Sequence, residues 1–136
     1  MKYGYSRKVA GSFEAVVGRV EEALQEFGFG ILTRIDAKQT LKKKLEVDFD
    51  SYIILGACNP QFGYQALQAE LEIGLLLPCN VIVYEKDGEI IVSAIKPTVA
   101  MAMIDNANLA QIAKEVEKKL ADVVDYVSTV KRSERS

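Results

Sequence analysis

Cys58 and Cys79 are the two thiols in a sequence of 136 residues, and proline marks the setting of each. Asn59-Pro60 follows the first; Leu77-Pro78 precedes the second and Asn80 follows it. Asparagine as N-cap with proline at the first helical position starts a helix, because the ring lacks only an N–H that would be orphaned there. A thiol just ahead of such a start sees free backbone N–H groups and the positive end of the helix dipole, which favour thiolate. Such a pair can bind zinc or another soft metal, cycle through a disulfide, or simply pack as two small buried side chains. The C-x-x-C spacing of zinc and redox motifs is missing. Cys58 and Cys79 as metal ligands therefore need a second copy of the chain to supply four donors.

The remaining residue types offer less. There is no histidine, which removes the commonest general base, the commonest metal ligand and every Ser-His-Asp or Cys-His pair. Glu70 and Glu72 at i, i+2 point apart on a helix, so they do not form a catalytic carboxylate pair. A hydrolase or isomerase using carboxylates with Tyr52, Tyr64 or Tyr84 lacks a recognisable set of nucleophile, base and oxyanion donors. Gly28-Phe29-Gly30-Ile31-Leu32-Thr33 leads from a helix into a strand, the reverse of a dinucleotide loop. Lys42-Lys43-Lys44 is flanked by Glu46, Asp48 and Asp50 and reads as a solvated helix face. Met101, Met103 and Ile104 read by default as core, the alternative being part of an adaptable binding or dimer surface.

Seventeen basic against nineteen acidic residues give a net charge of −2, so neither a nucleic acid nor an anionic membrane is an expected partner. With 49% apolar and 26% charged residues, the chain has the composition of one folded globular domain, expected over residues 1–130 with a disordered polar tail at 131–136. Residues 1–8 carry no apolar signal segment, two cysteines are too few for a secreted disulfide framework, and no run is apolar enough to span a bilayer. A cytoplasmic location is expected.

The elements that must position the thiols follow from periodicity. Residues 3–9 read as a strand, and Ser12 caps a helix with Phe13, Val16, Val17, Val20, Leu24 and Phe27 at helical spacing. Residues 29–35 alternate as a strand with Phe29, Ile31, Thr33 and Ile35 on one face. A charged stretch from Asp36 to Glu46 reads as a surface helix that buries Leu41 and Leu45. Residues 51–58 form a buried strand stopped by Asn59-Pro60, and a helix runs over 60–71. Residues 81–85 and 89–95 pair as a hairpin through Asp87-Gly88. A terminal helix carries Leu109, Ile112, Val116, Leu120, Val123, Val124 and Val127 on one stripe. This order, strand-helix-four strands-helix, predicts an α+β fold: an antiparallel sheet covered on one face by two long helices, with short extra helices in the connections. Antiparallel pairing of the third and fourth strands places Cys58 and Cys79 at the same end of the sheet. Both strands are apolar on both faces, which predicts a homodimer, face to face or edge to edge.

At Gly56-Ala57-Cys58-Asn59-Pro60 and Leu76-Leu77-Pro78-Cys79-Asn80-Val81, followed by Val83-Tyr84-Glu85, the chain resembles the bacterial and archaeal family called domain of unknown function 302, or DUF302. The resemblance runs from Gly28-Phe29-Gly30 and Asp36 to Pro97. It implies a fold like that of the TATA-binding protein, dimeric members and no settled activity; the fold name does not bring DNA binding with it. It also implies that Asn59-Pro60 and Leu77-Pro78 are the shared part, other members carrying another residue at Cys58 or Cys79. These elements bring backbone donors and the Asn59 side chain to one sheet edge, a setting that suits a small anionic ligand as well as plain folding. The expected function is that of a non-enzymatic homodimeric module with a small-molecule or partner site at Cys58, Asn59, Pro60, Cys79 and Asn80, and with no required cofactor. The alternative is a thiol-dependent redox or soft-metal protein that uses Cys58 and Cys79.

Overall fold

The computed structural model describes residues 2–135, with side chains described through residue 129. Strand β1 (Gly4–Val9) is followed by α1 (Phe13–Glu26), β2 (Gly30–Asp36), α2 (Ala37–Leu45), β3 (Tyr52–Cys58) and α3 (Pro60–Ala69). A 3-10 helix (Leu71–Leu76) leads into β4 (Cys79–Lys86), β5 (Glu89–Ile95), α4 (Pro97–Ala100) and α5 (Ala107–Arg135). The tail expected at 131–136 falls among residues whose side chains lie outside the described set.

Local chemistry sets the element ends. The Ser12 hydroxyl accepts from the Ala15 N–H at the start of α1, and Asp36 Oδ1 accepts from the Gln39 N–H at the start of α2. Each such cap is worth about 1 kcal/mol. Asp87 and Gly88, at φ of 53° and 80°, make the two-residue turn between β4 and β5, and two successive positive φ values match the twist of a hairpin.

All five strands form one antiparallel sheet in the order β1-β5-β4-β3-β2. Its inner face carries Val9, Ile53, Leu55, Val81, Val83, Ile90, Val92 and Ala94, packed against Val16, Val17, Val20 and Leu24 of α1 and the Val116 to Val127 stripe of α5. The fold class read from the sequence is the one observed. A second, smaller core joins Ala66 of α3, Ile73 of the 3-10 helix, Met101, Leu109 and Ala113. It is held by Asn106, whose Nδ2 donates to the Ala69 carbonyl at 2.7 Å while its Oδ1 accepts from the Leu109 N–H at 3.0 Å. One side chain thereby closes α3 and caps α5. The Thr98 hydroxyl and N–H both donate to Glu117 Oε1, at 2.6 and 2.9 Å, fixing α4 on α5.

Four expectations change. The register of β2 against β3 shifts between Ile31 and Thr33. Ile31 therefore pairs with Ala57 on the inner face while Thr33 and Ile35 pair with Gly56 and Ile54 on the outer one; the extra residue, Leu32, breaks the alternation. Leu45 is 65% exposed rather than buried, and Met103 is 81% exposed while Met101 joins the smaller core. The helix expected over 60–71 stops at Ala69 and gives way to the 3-10 turn.

Candidate functional site

Strand β3 ends where β4 begins, and Ala57 pairs with Cys79. Paired residues in an antiparallel ladder share a face, so Cys79 points inward with Ala57, and both are buried. Cys58 is the last residue of β3, where the chain turns into α3. Its Sγ lies under that helix, 3.0 Å from where a Cβ on Gly63 would stand. Both cysteines line one cavity of about 30 Å³, walled by Phe29, Phe62, Ala66 and Leu77 and closed below by the start of α5. That volume accommodates a water or a group of similar size. The wall contains no carboxylate, lysine, arginine or tyrosine, and Asn59 is its one amide side chain.

Asn59 is engaged by the helix it starts. Its Oδ1 accepts from the Gln61 and Phe62 N–H groups at 3.1 and 3.3 Å, and its carbonyl accepts from the Gly63 N–H at 2.8 Å. The donors at the α3 start that an anionic ligand would use are thus taken up by the cap. Asn59 Nδ2 packs toward Gly28, 3.2 Å from where a Cβ there would stand, and Gly28 has a φ of +90° that disfavours any other residue.

The electrostatics oppose thiolate chemistry at Cys79. Burial, and secondarily the neighbouring Cys58, pushes its pKa up to about 11. A thiol in an apolar wall keeps its proton at neutral pH. Both cysteines are free thiols, Cys58 the more accessible. Among the described residues, no three His, Cys, Asp or Glu side chains gather as a metal site.

Of the sequence-predicted residues, Cys58, Asn59 and Cys79 meet at the cavity. Pro60 is exposed at the first turn of α3 and is not part of the wall. Asn80 pairs with Gly56 and is exposed on the opposite face of the sheet, because neighbouring strand residues alternate. Tyr52 and Tyr84 stack on that outer face at 5.5 Å, while Tyr64 is exposed on α3, so the three tyrosines form no common site. Glu70 accepts from Asn106 Nδ2 at 3.1 Å and serves the α3 end. Sequence reading missed Met101, Leu109 and Ala113 as walls of the cavity. The α5 periodicity marks Leu109 as buried without telling which part of the molecule it meets.

Residues 5–127 match the family model described as domain of unknown function DUF302. No curated protein matches the chain. The crystal structure of an uncharacterized conserved protein DUF302 from Bacillus stearothermophilus is similar at a TM-score of 0.87 and 32% identity, over 92% of this chain and 98% of that one. No helix of the described residues is long and apolar enough to cross a membrane. With the family model spanning almost the whole sheet and both long helices, the chain belongs to the DUF302 family.

Proposed function

We propose that the protein is a non-catalytic binding module whose site is the apolar cavity between the β3 end, the β4 start and α3, and whose ligand is small and mainly apolar. One observation carries the reading: Cys58 and Cys79, far apart in the sequence, line one cavity whose wall lacks every general base and every charged group. A wall with so few polar partners favours an apolar guest over water. α3 and the 3-10 helix pack on Met101, Leu109 and Ala113 through the smaller core, so a ligand larger than the closed cavity requires that contact to open.

Xenon is a suitable probe, followed through methyl NMR signals of Ala66, Leu77 and Ile112. Cys58→Ala enlarges the cavity and is expected to strengthen the xenon-induced shifts; Gly63→Ala shrinks it and is expected to weaken them. Shifts that ignore both substitutions, or that appear only at distant methyls, refute the reading.

A second reading, thiol exchange or soft-metal binding, is favoured by the two thiols sharing the cavity. Two sulfurs suit a soft monovalent ion better than tetrahedral zinc. Native mass spectrometry of the full chain purified without reductant or chelator separates the two. A mass loss of two hydrogens, or a bound ion lost in Cys58→Ser, favours the second; two reduced thiols with an organic adduct favour the first.

A further inference from the structure

A second hollow adjoins the cavity. It is a groove of about 310 Å³ between the 3-10 helix, the β4 start and α4, and it shares Leu77, Cys79, Pro97 and Met101 with the cavity of about 30 Å³. The cavity alone is too small for an organic ligand, whereas the groove reaches the range of about 300–1,000 Å³ in which small-molecule sites fall. Leu75, Leu76, Pro78, Ile95 and Ala100 continue its wall. Leu75 is 82% exposed and forms the outer lip.

The partition between the two hollows is the part of the cavity wall best able to give way. Most of the other sides come from β3, α3 and α5, and α4 is pinned to α5 through Thr98 and Glu117. Leu77 and Met101 instead lie in connections, outside every helix and strand. Met101 is unbranched and turns about its own side-chain bonds, so it can vacate its place without a shift of backbone. It also belongs to the smaller core, the contact that a larger ligand must open.

The chemistry of the walls narrows the ligand. None of the described residues lining either hollow is charged, so a carboxylate, phosphate or ammonium would lie there without a counterion. Asn80 is exposed and is the one amide side chain of the groove, placed to hydrogen-bond a neutral polar end. Building on the reading of the cavity as an apolar site, we propose that groove and cavity form one site for a slender aliphatic chain with a neutral polar end. The tail passes Met101 into the cavity and the polar end stays in the groove at Asn80.

Decanol added to the full chain tests the proposal by NMR. Its terminal methyl is expected to show nuclear Overhauser contacts to Ala66 or Ala113 in the cavity, and its carbinol protons to Asn80. Decanoate, the same chain with a charged end, is expected to bind at least about tenfold more weakly at neutral pH. Ala100→Glu puts a carboxylate in the groove wall that a bound chain would desolvate; it is expected to weaken decanol at least about tenfold while the xenon response of the cavity persists. Should Ala100→Glu fail to fold, the wild-type contacts and the decanol–decanoate comparison decide. Xenon uptake without decanol contacts to Ala66 or Ala113 overturns the joined site and leaves the cavity reading standing; absence of both overturns the two together. Equal affinity for decanoate, a folded Ala100→Glu protein that binds decanol as the wild type does, or signals of Leu75 and Ile95 that shift on dilution of the ligand-free protein, which would mean that a second copy covers the groove, also overturn it.

Discussion

The Cys58 sulfur occupies the space that a side chain on Gly63 would take: a Cβ there stands 3.0 Å from Sγ. In an open helix, replacing glycine by alanine stabilises by about 0.5–1 kcal/mol through the lost entropy of the unfolded glycine. Here the added methyl must push the sulfur aside, so Gly63→Ala is expected to bring no gain in the wild type. In a Cys58→Ala background the obstacle is gone and the gain should return. A double-mutant cycle by chemical denaturation is expected to show coupling of about 1 kcal/mol between the two positions. Additive effects would mean that the sulfur does not pack under α3.

Gly18 supplies the contrasting case. It lies inside α1, with nothing within 4 Å of where a Cβ would stand. Gly18→Ala is therefore expected to stabilise by about 0.5–1 kcal/mol, which raises the melting temperature by about 2–4 °C. Unchanged or lower thermal stability would reveal a partner against that face of α1.

Gly56 is required for packing. A Cβ there would fall 2.1 Å from Thr33 Oγ1 and 2.7 Å from Pro78 Cγ, on the outer face where β2 and the β4 entry close over β3. Gly56→Ala is expected to cost about 1–3 kcal/mol in denaturant unfolding, the range of overpacked sites. Thr33→Ala should recover only part of the loss, since the proline ring remains.

These sites show what could be read from the chain and what could not. Asn59-Pro60 announced the α3 start, Asp87-Gly88 the hairpin turn and the apolar stripe the face of α5, because each signal is local and each acts through its own backbone. That Cys58 and Cys79 fall at the same end of the sheet was also legible, since it follows from antiparallel pairing alone; that both line one cavity was not. The bulge at Leu32 was not. It is fixed by how β2 meets β3, and an uninterrupted alternation from Phe29 to Ile35 gives no hint that Ile31 and Thr33 lie on opposite faces. Asn80 was grouped with Cys79 by adjacency in sequence, although strand periodicity separates them. Leu109 and Ala113 reach the cavity only through the fold of α5 back onto α3, a contact with no local signature.

The buried thiol of Cys79 ties the cavity to a measurable pH response. Its pKa is raised from the ordinary 9.0 to about 11, first by burial and then by Cys58. Below about pH 9 the thiol is protonated in both the folded and the unfolded chain, and the stability it contributes is fully present. Between about 9 and 11 the unfolded chain gives up its proton while the folded one keeps it, so unfolding is favoured as pH rises. The loss approaches about 3 kcal/mol once the folded thiol also titrates. Cys79→Ala destabilises at every pH by opening the cavity, and it also removes this slope. Chemical denaturation of both proteins across this alkaline range is therefore expected to show the gap between them narrowing as pH rises. Parallel curves would mean that water reaches the thiol in the folded state. An accessible thiolate at Cys79 would then favour exchange or metal chemistry over the uptake of an apolar ligand.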